Sequence, residues 1–379
     1  MSPSAVRLRS LWFQLHKWAG ITLAILIIPI ALSGAALVWH DWLDEQINPQ
    51  RFPAAGGASL PPSTYAEKAL RLAEPGERVS QIRLPGEAGA VQVTLMKPLP
   101  DGVRKSRATV WLDPKTAQPI ERAGSREGLL SVLHVLHGSL MVPGLGRKVV
   151  GWVGVAMLLS SLTGLWLWWP LKGSVRSGLR WNRRPDLNSN LHFQAGFWIS
   201  LPLAVLSATG IWISFPAVFS GVRGGPPGAG PLALDQTNLT AEQASAAAQA
   251  LASGSAASIA WPTDEKSDWT VTIKGGGKSQ EVKVADSDAK ASLVPAKPET
   301  FARTMRQIHD GTGMPLLWQM IIFVGGILPA LLALTGILMW LRMATVTPLP
   351  AARPSALITT GMENCLSASR AAATVSTRT

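Results

Sequence analysis

The chain has 379 residues, 47% of them hydrophobic, with a formal net charge of +12 and a single cysteine. One cysteine excludes a disulfide framework, a Cys-ligated zinc site and an iron–sulfur cluster within the chain. A mean hydropathy of +0.20, with four uncharged apolar stretches of at least 20 residues, places the chain among polytopic membrane proteins.

In chain order, residues 1–18 are expected as a cytoplasmic N-terminus and residues 19–39 as the first span. At 1.5 Å per residue, each of the four stretches is long enough to cross a hydrocarbon core of about 30 Å. The first is too long for a cleaved signal peptide, so it reads as a retained anchor. Residues 40–128 follow as an extracytoplasmic domain. They hold a short amphipathic helix from Tyr65 to Ala73, strands at Gln81–Leu84, Ala90–Met96 and Ala108–Leu112, and a turn at Asp113–Thr116.

Residues 129–148 read as an interfacial helix or re-entrant turn, 149–171 as the second span and 172–191 as a basic cytoplasmic loop. The third span covers 192–216. A second extracytoplasmic domain covers 217–305, with a Gly/Pro-rich lead-in (Gly221 to Pro231), a helix at Ala241–Ala252, strands at Trp269–Ile273 and Glu281–Val284, and a turn at Asp286–Ala289. Residues 306–341 form another interfacial turn and the fourth span. Residues 342–379, which carry Cys365, are rich in Ala, Ser, Thr and Pro and are expected as a disordered cytoplasmic tail. The order span, α+β domain, span therefore occurs twice. Repeats with an even number of spans keep one orientation, so the halves should be related by an axis along the membrane normal.

The basic residues argue against a nucleic-acid partner. Arg7, Arg9 and Lys17 precede the first span; Lys172, Arg176, Arg180, Arg183 and Arg184 fill the central loop; Arg342 and Arg353 follow the fourth span. That is a positive-inside pattern, with anionic lipid headgroups as the default partner of the charge and an inner-membrane location. All 16 tryptophans except Trp111, Trp261 and Trp269 lie in or beside the spans, as an interfacial belt requires.

Four histidines stand at two repeated spacings. His16 lies 18 residues before Gly34 and His192 18 before Gly210; His137 lies 27 before Gly164 and His309 27 before Gly336. Each glycine follows a Ser or Thr. The topology puts His16 and His192 at the cytoplasmic end and His137 and His309 at the outer end. Two histidines approaching opposite faces of a planar ring are what bis-imidazole haem ligation needs. The expected cofactors are two b-type haems, held non-covalently because no Cys-x-x-Cys-His motif exists.

The competing reading makes these histidines polar anchors at the membrane interface. Gly164 and Gly336 should flank the inner pair and Gly34 and Gly210 the outer one, either making room for a macrocycle edge or serving close helix packing. Breaks at Met141–Gly144 and Met314–Pro315 should set His137 and His309 near the outer surface. His134, one turn before His137, and His40 are alternative ligands, proton carriers, iron-side contacts or exposed interfacial residues. Arg306, the counterpart of His134, suits a haem propionate.

The Leu-His pairs, the (Ser/Thr)-Gly pairs, the exit from Asp44 to Pro49 and the run Leu136-His137-Gly138-Ser139-Leu140 leading to Gly146-Arg147 resemble the PepSY-associated transmembrane family over roughly residues 10 to 342. The resemblance implies four transmembrane helices with two PepSY-like domains, and a ferric-siderophore or other ferric-chelate reductase. No Rossmann fingerprint or P-loop is present, so electrons are expected from quinol or a cytoplasmic donor. Two other readings stand beside this one. One is a non-enzymatic scaffold or inhibitor acting through its PepSY-like domains; the other is an electron-transfer subunit for a different extracytoplasmic acceptor.

Overall fold

A computed structural model describes residues 3–53, 56–86, 88–98, 105–169, 174–181, 184–219, 231–295 and 300–346. Lys172, Arg183, Arg353, Cys365, most of the Gly/Pro-rich lead-in and nearly all of the tail lie outside the described residues. Residues 1–338 form one compact unit and 339–379 a second.

The chain opens with α1 (Pro3–Val38), which runs well ahead of the apolar stretch, so His16 lies inside a long helix rather than at its start. After α2 (His40–Ile47) and a 3-10 turn at Pro49–Arg51 come α3 (Pro62–Leu70) and the strands β1 (Arg78–Arg83), β2 (Val91–Pro98), β3 (Lys105–Leu112) and β4 (Pro119–Gly124). Then follow α4 (Leu129–Ser139), α5 (Gly146–Trp168), α6 (Val175–Gly178), α7 (Leu187–Ser214) and α8 (Pro216–Phe219). The second half continues with α9 (Ala241–Leu251), β5 (Ser255–Ala260), β6 (Asp268–Gly275), β7 (Lys278–Ala285), β8 (Ala291–Leu293), α10 (Phe301–Asp310) and α11 (Leu316–Val346).

Four of these helices are long and apolar enough to cross a membrane: Val6–Val38 within α1, then α5, α7 and Leu316–Arg342 within α11. Large side chains such as Ile25, Trp152, Trp198, Leu201 and Leu317 are two-thirds exposed or more, a surface that only a lipid environment tolerates on four helices at once. Arg147 on α5 donates to the Ile213 carbonyl near the end of α7, neutralising a helix C-terminus with a cation.

The two expected small sheets are a single eight-stranded antiparallel sheet in the order β4-β3-β2-β1-β5-β6-β7-β8. Each half contributes a four-stranded meander. The halves join where Gln81, Ile82 and Arg83 of β1 pair with Ala260, Ile259 and Ser258 of β5. The join is extended by the Leu84 amide on the Ala257 carbonyl and the Trp261 amide on the Ser80 carbonyl. The physical reason is edge protection: β1 and β5 would each be an open edge, and each covers the other. The expected strands left out β4, β5 and β8.

One face of the sheet carries α3 and α9. Alternate residues point into this layer: Ile82, Val91, Val93 and Val110 pack around Tyr65 on one side, and Ile259, Val271, Ile273 and Val282 around Ala244 and Ala248 on the other. Leu84 and Trp261 touch both cores, which makes the hydrophobic layer continuous. Asp286 anchors the second half by accepting from Trp269 Nε1 and from the amides of Asn238 and Leu239.

A candidate paired-imidazole site

The structure brings the sequence-predicted histidines together in the expected pairs. The ring centroids of His16 on α1 and His192 on α7 are 6.4 Å apart with planes at 83°. Those of His137 on α4 and His309 on α10 are 6.0 Å apart at 42°.

What holds each ring is the (Ser/Thr)-Gly pair of a different helix. A Cβ on Gly164 would lie 3.1 Å from His16 Cε1, one on Gly210 3.1 Å from His309 Cε1, one on Gly336 3.5 Å from His192 Cε1, and one on Gly34 2.5 Å from His137 Cε1. The missing side chains thus seat the imidazoles themselves. The sequence reading had offered room for a macrocycle edge or plain helix packing; neither named the ring as the occupant.

The residue before each glycine completes the seat. His16 Nδ1 is 3.2 Å from Thr163 Oγ1, His192 Nδ1 is 2.9 Å from Thr335 Oγ1, and His309 Nδ1 is 3.0 Å from Thr209 Oγ1. Each of these hydroxyls already donates to the carbonyl four residues earlier on its own helix (Leu159, Leu331 and Val205). The hydroxyl oxygen is therefore the acceptor and Nδ1–H the donor. His309 Nδ1 also reaches the Leu206 carbonyl at 3.1 Å. In the fourth case Ser33 turns to Pro29 and Ile30, and His137 Nδ1 donates directly to the Ile30 carbonyl at 2.8 Å. A carbonyl only accepts, so the tautomer is again fixed. All four rings carry their proton on Nδ1 and keep the Nε2 lone pair for something else. Each pair can give a transition metal two neutral imidazole nitrogens.

The helices that present the rings end where the sequence broke. Past α4, Leu140 and Met141 take positive φ values of 50° and 59°, and Gly146 opens α5 so close to the Ser139 carbonyl that no side chain fits. Past α10, Gly311 caps the helix at φ 78°, and Trp318 Nε1 on α11 donates to the Ile308 carbonyl at 2.9 Å. His137 and His309 are thereby carried on short helices beside the long ones. At the other end, Asp186 caps α7 by accepting from the Ser189 amide, and Trp168 stacks on Phe197 at 4.0 Å between centroids.

Arg306 sits on α10 one turn before His309 and is exposed. His134 and His40 stand outside the two pairs and face each other, with centroids 6.4 Å apart. The sequence had treated them as separate rivals for ligation; their contact across α4 and α2 carried no signal in either spacing.

A second feature was not legible in the sequence. A cavity of about 390 Å³ opens on the sheet face opposite α3 and α9, at the join of the two meanders. Arg83, Gln92, Ser258, Thr272 and Lys274 line it, the residues that alternate with the core positions. Arg51 closes one side. Its guanidinium lies 4.0 Å from the centre of the Trp111 ring and bridges Glu121 and Asp44, linking β4 to α2.

No curated protein matches the chain. The family model of the PepSY-associated TM region matches residues 13–342, a range that takes in the antiparallel sheet and, apart from the first turns of α1, the four membrane-length helices, and this protein belongs to the PepSY-associated transmembrane family.

Proposed function

We propose that this protein is a di-haem reductase of the bacterial inner membrane that delivers electrons outwards to a ferric chelate of the siderophore class. We read it as a duplicated span–domain–span unit with both termini cytoplasmic and the sheet in the periplasm. The observation that carries the reading is the seating of four imidazoles in two pairs with every Nε2 left free. The ring centroids of the two pairs, 6.4 and 6.0 Å apart, leave space for one metal between the rings of each.

The donor set also fits. Each pair supplies two nitrogens and, among the described residues, no third His, Cys, Asp or Glu joins either. Two nitrogens without a third protein donor would suit a metal whose other positions are filled by a macrocycle. Haem b, when bound, supplies a one-electron iron(III)/iron(II) couple. His16 and His192 would hold one group and His137 and His309 the other. Thr163, Thr335 and Thr209 and the Ile30 carbonyl keep the rings in one tautomer and orientation, and their pull on the Nδ1 protons raises ligand basicity.

Arg176, Arg180 and Arg184 lie between α5 and α7 at the His16–His192 end, which supports assigning that end to the cytoplasm. A quinol or a soluble cytoplasmic donor would then meet the inner pair. Arg306 offers a guanidinium to a carboxylate beside His309. The basic lining of the sheet cavity suits an anionic chelate, since Arg83 and Lys274 both face it. Reduction would loosen the cargo, because hard oxygen donors hold iron(III) more firmly than iron(II).

The test is an optical spectrum of the purified protein with haem quantified per chain. Two haems per chain are expected, one lost in both His16→Ala and His192→Ala and the other in both His137→Ala and His309→Ala. A protein that shows no Soret band after expression with ample haem would sink the reading and leave the sheet as a partner-binding scaffold.

A further inference from the structure

We propose that His40 and His134 form a separate, exposed site for a divalent first-row transition-metal ion, iron(II) being the ion it suits here. The site stands on its own geometry, while the choice of iron(II) rests on the ferric-chelate reduction proposed above. The two rings meet edge to face, with centroids 6.4 Å apart and planes at 77°. His40 Nδ1 donates to the Leu37 carbonyl at 3.1 Å and His134 Nδ1 to the Leu130 carbonyl at 2.9 Å. Both Nδ1 protons are thus spent on backbone of the preceding turn; the His134 Nε2 lone pair is left over, and a metal ion would displace the proton through which His40 Nε2 meets Asp41. Asp41 adds a carboxylate oxygen 3.2 Å from His40 Nε2.

Three features separate this site from the two pairs within the helical layer. Both of its rings are exposed, with nearly half of the His40 side chain open to solvent. No glycine seats either ring, and neither leans on a Thr of a facing helix. The second half of the chain has no equivalent, for Pro216 and Arg306 occupy the matching places.

The ligand class follows from the donors. Neutral imidazole with an adjacent carboxylate and open positions suits borderline divalent ions, with iron(II) among them. Among the described residues no group of three His, Cys, Asp or Glu is placed to hold a metal ion, so the two imidazoles are the donors and Asp41 acts beside them. Water or an incoming chelator must fill the remaining positions, so the ion stays exchangeable. His134 is one helical turn from His137 on α4, which puts the site beside the outer pair. An ion released there meets two imidazoles at the sheet-side rim.

The test uses full-length protein in detergent micelles with its haem content recorded. It is titrated anaerobically with iron(II), and separately with zinc(II) as a redox-inert probe. One ion per chain is expected to bind beyond any held by the two seated pairs. His40→Asn and His134→Asn should each weaken that binding by about 100-fold or more, beyond the 10–100-fold typical of residues that only orient a ligand. Asp41→Asn should weaken it less, by about tenfold. Haem content should be unchanged in all three. Wild-type affinity in both histidine variants would overturn the proposal, and so would loss of a haem from either, which would make that residue a haem ligand. Both side chains are exposed, and circular dichroism of each variant separates misfolding from loss of the site.

Discussion

A glycine beside a histidine usually means close helix packing, but here the four distances rank the positions. A methyl group at Gly34 would overlap His137 at 2.5 Å, those at Gly164 and Gly210 would press His16 and His309 at 3.1 Å, and that at Gly336 would only touch His192 at 3.5 Å. Alanine substitutions should therefore form a graded series. If the pairs hold haem as proposed, Gly34→Ala should displace its ring and empty the His137–His309 pair, Gly164→Ala and Gly210→Ala should shift the Soret and potential of their pairs, and Gly336→Ala should be close to silent. Haem content and redox titration of the four variants check the order; a silent Gly34→Ala would contradict it. The threonines act differently, through a proton. Thr335→Val keeps the shape but leaves His192 Nδ1 without its 2.9 Å hydroxyl acceptor. The loss should be about 10–100-fold in ligand affinity at the inner pair, readable as faster haem transfer to an acceptor globin, with no effect on the outer pair.

At the scale of elements, one contact ties the end of the first membrane helix to the sheet. Arg51 donates to Glu121 on β4 and to Asp44 on α2, and the side chains of all three are at most about a quarter exposed. The hydrogen bond from Arg51 holds the Glu121 carboxyl below its ordinary value, and the charge of Arg51 adds to the effect against a smaller desolvation cost. The sign follows from linkage. A carboxyl depressed in the folded state stabilises the fold above its unfolded value of about 4.3, and that contribution is lost as pH falls through the lower folded value. Glu121→Gln should therefore cost about 1 kcal/mol at neutral pH and nothing further on acidification, whereas the wild type should lose that increment below about pH 4. Thermal melts of both proteins at pH 7 and pH 3.5 measure it. How far such elements were legible depends on what sets them. The spans and the breaks at Pro143 and Pro315 could be read because hydropathy and proline act locally. β4, β5 and β8 escaped because Pro119–Gly124, Ser255–Ala260 and Ala291–Leu293 lack a clean apolar alternation. Their strand character comes from a neighbour's hydrogen bonds.

At the scale of the whole molecule, the pairing of histidines and the joining of sheets follow one logic. Elements from the first and second parts of the chain meet in turn: α1 and α7 give one imidazole pair, α4 and α10 the other, and β1 and β5 the seam. The histidine spacing exposed the first two because chemistry marks those residues. Nothing marked the seam, since Arg83 and Ser258 pair through backbone alone, and the cavity above it was hidden for the same reason. The seam also makes a prediction about cooperativity. Ile259 is fully buried on β5 opposite Ile82, and Trp261 and Leu84 pack into both cores. If the sheet is one folding unit, Ile259→Ala should cost about 2–5 kcal/mol and lower protection of both meanders together. Hydrogen exchange should then show β2 and β3 opening with β6 and β7, although the substitution lies in the second half alone. Faster exchange confined to β5, β6 and β7, with β2 and β3 at wild-type rates, would mean that the two meanders open independently on either side of the seam.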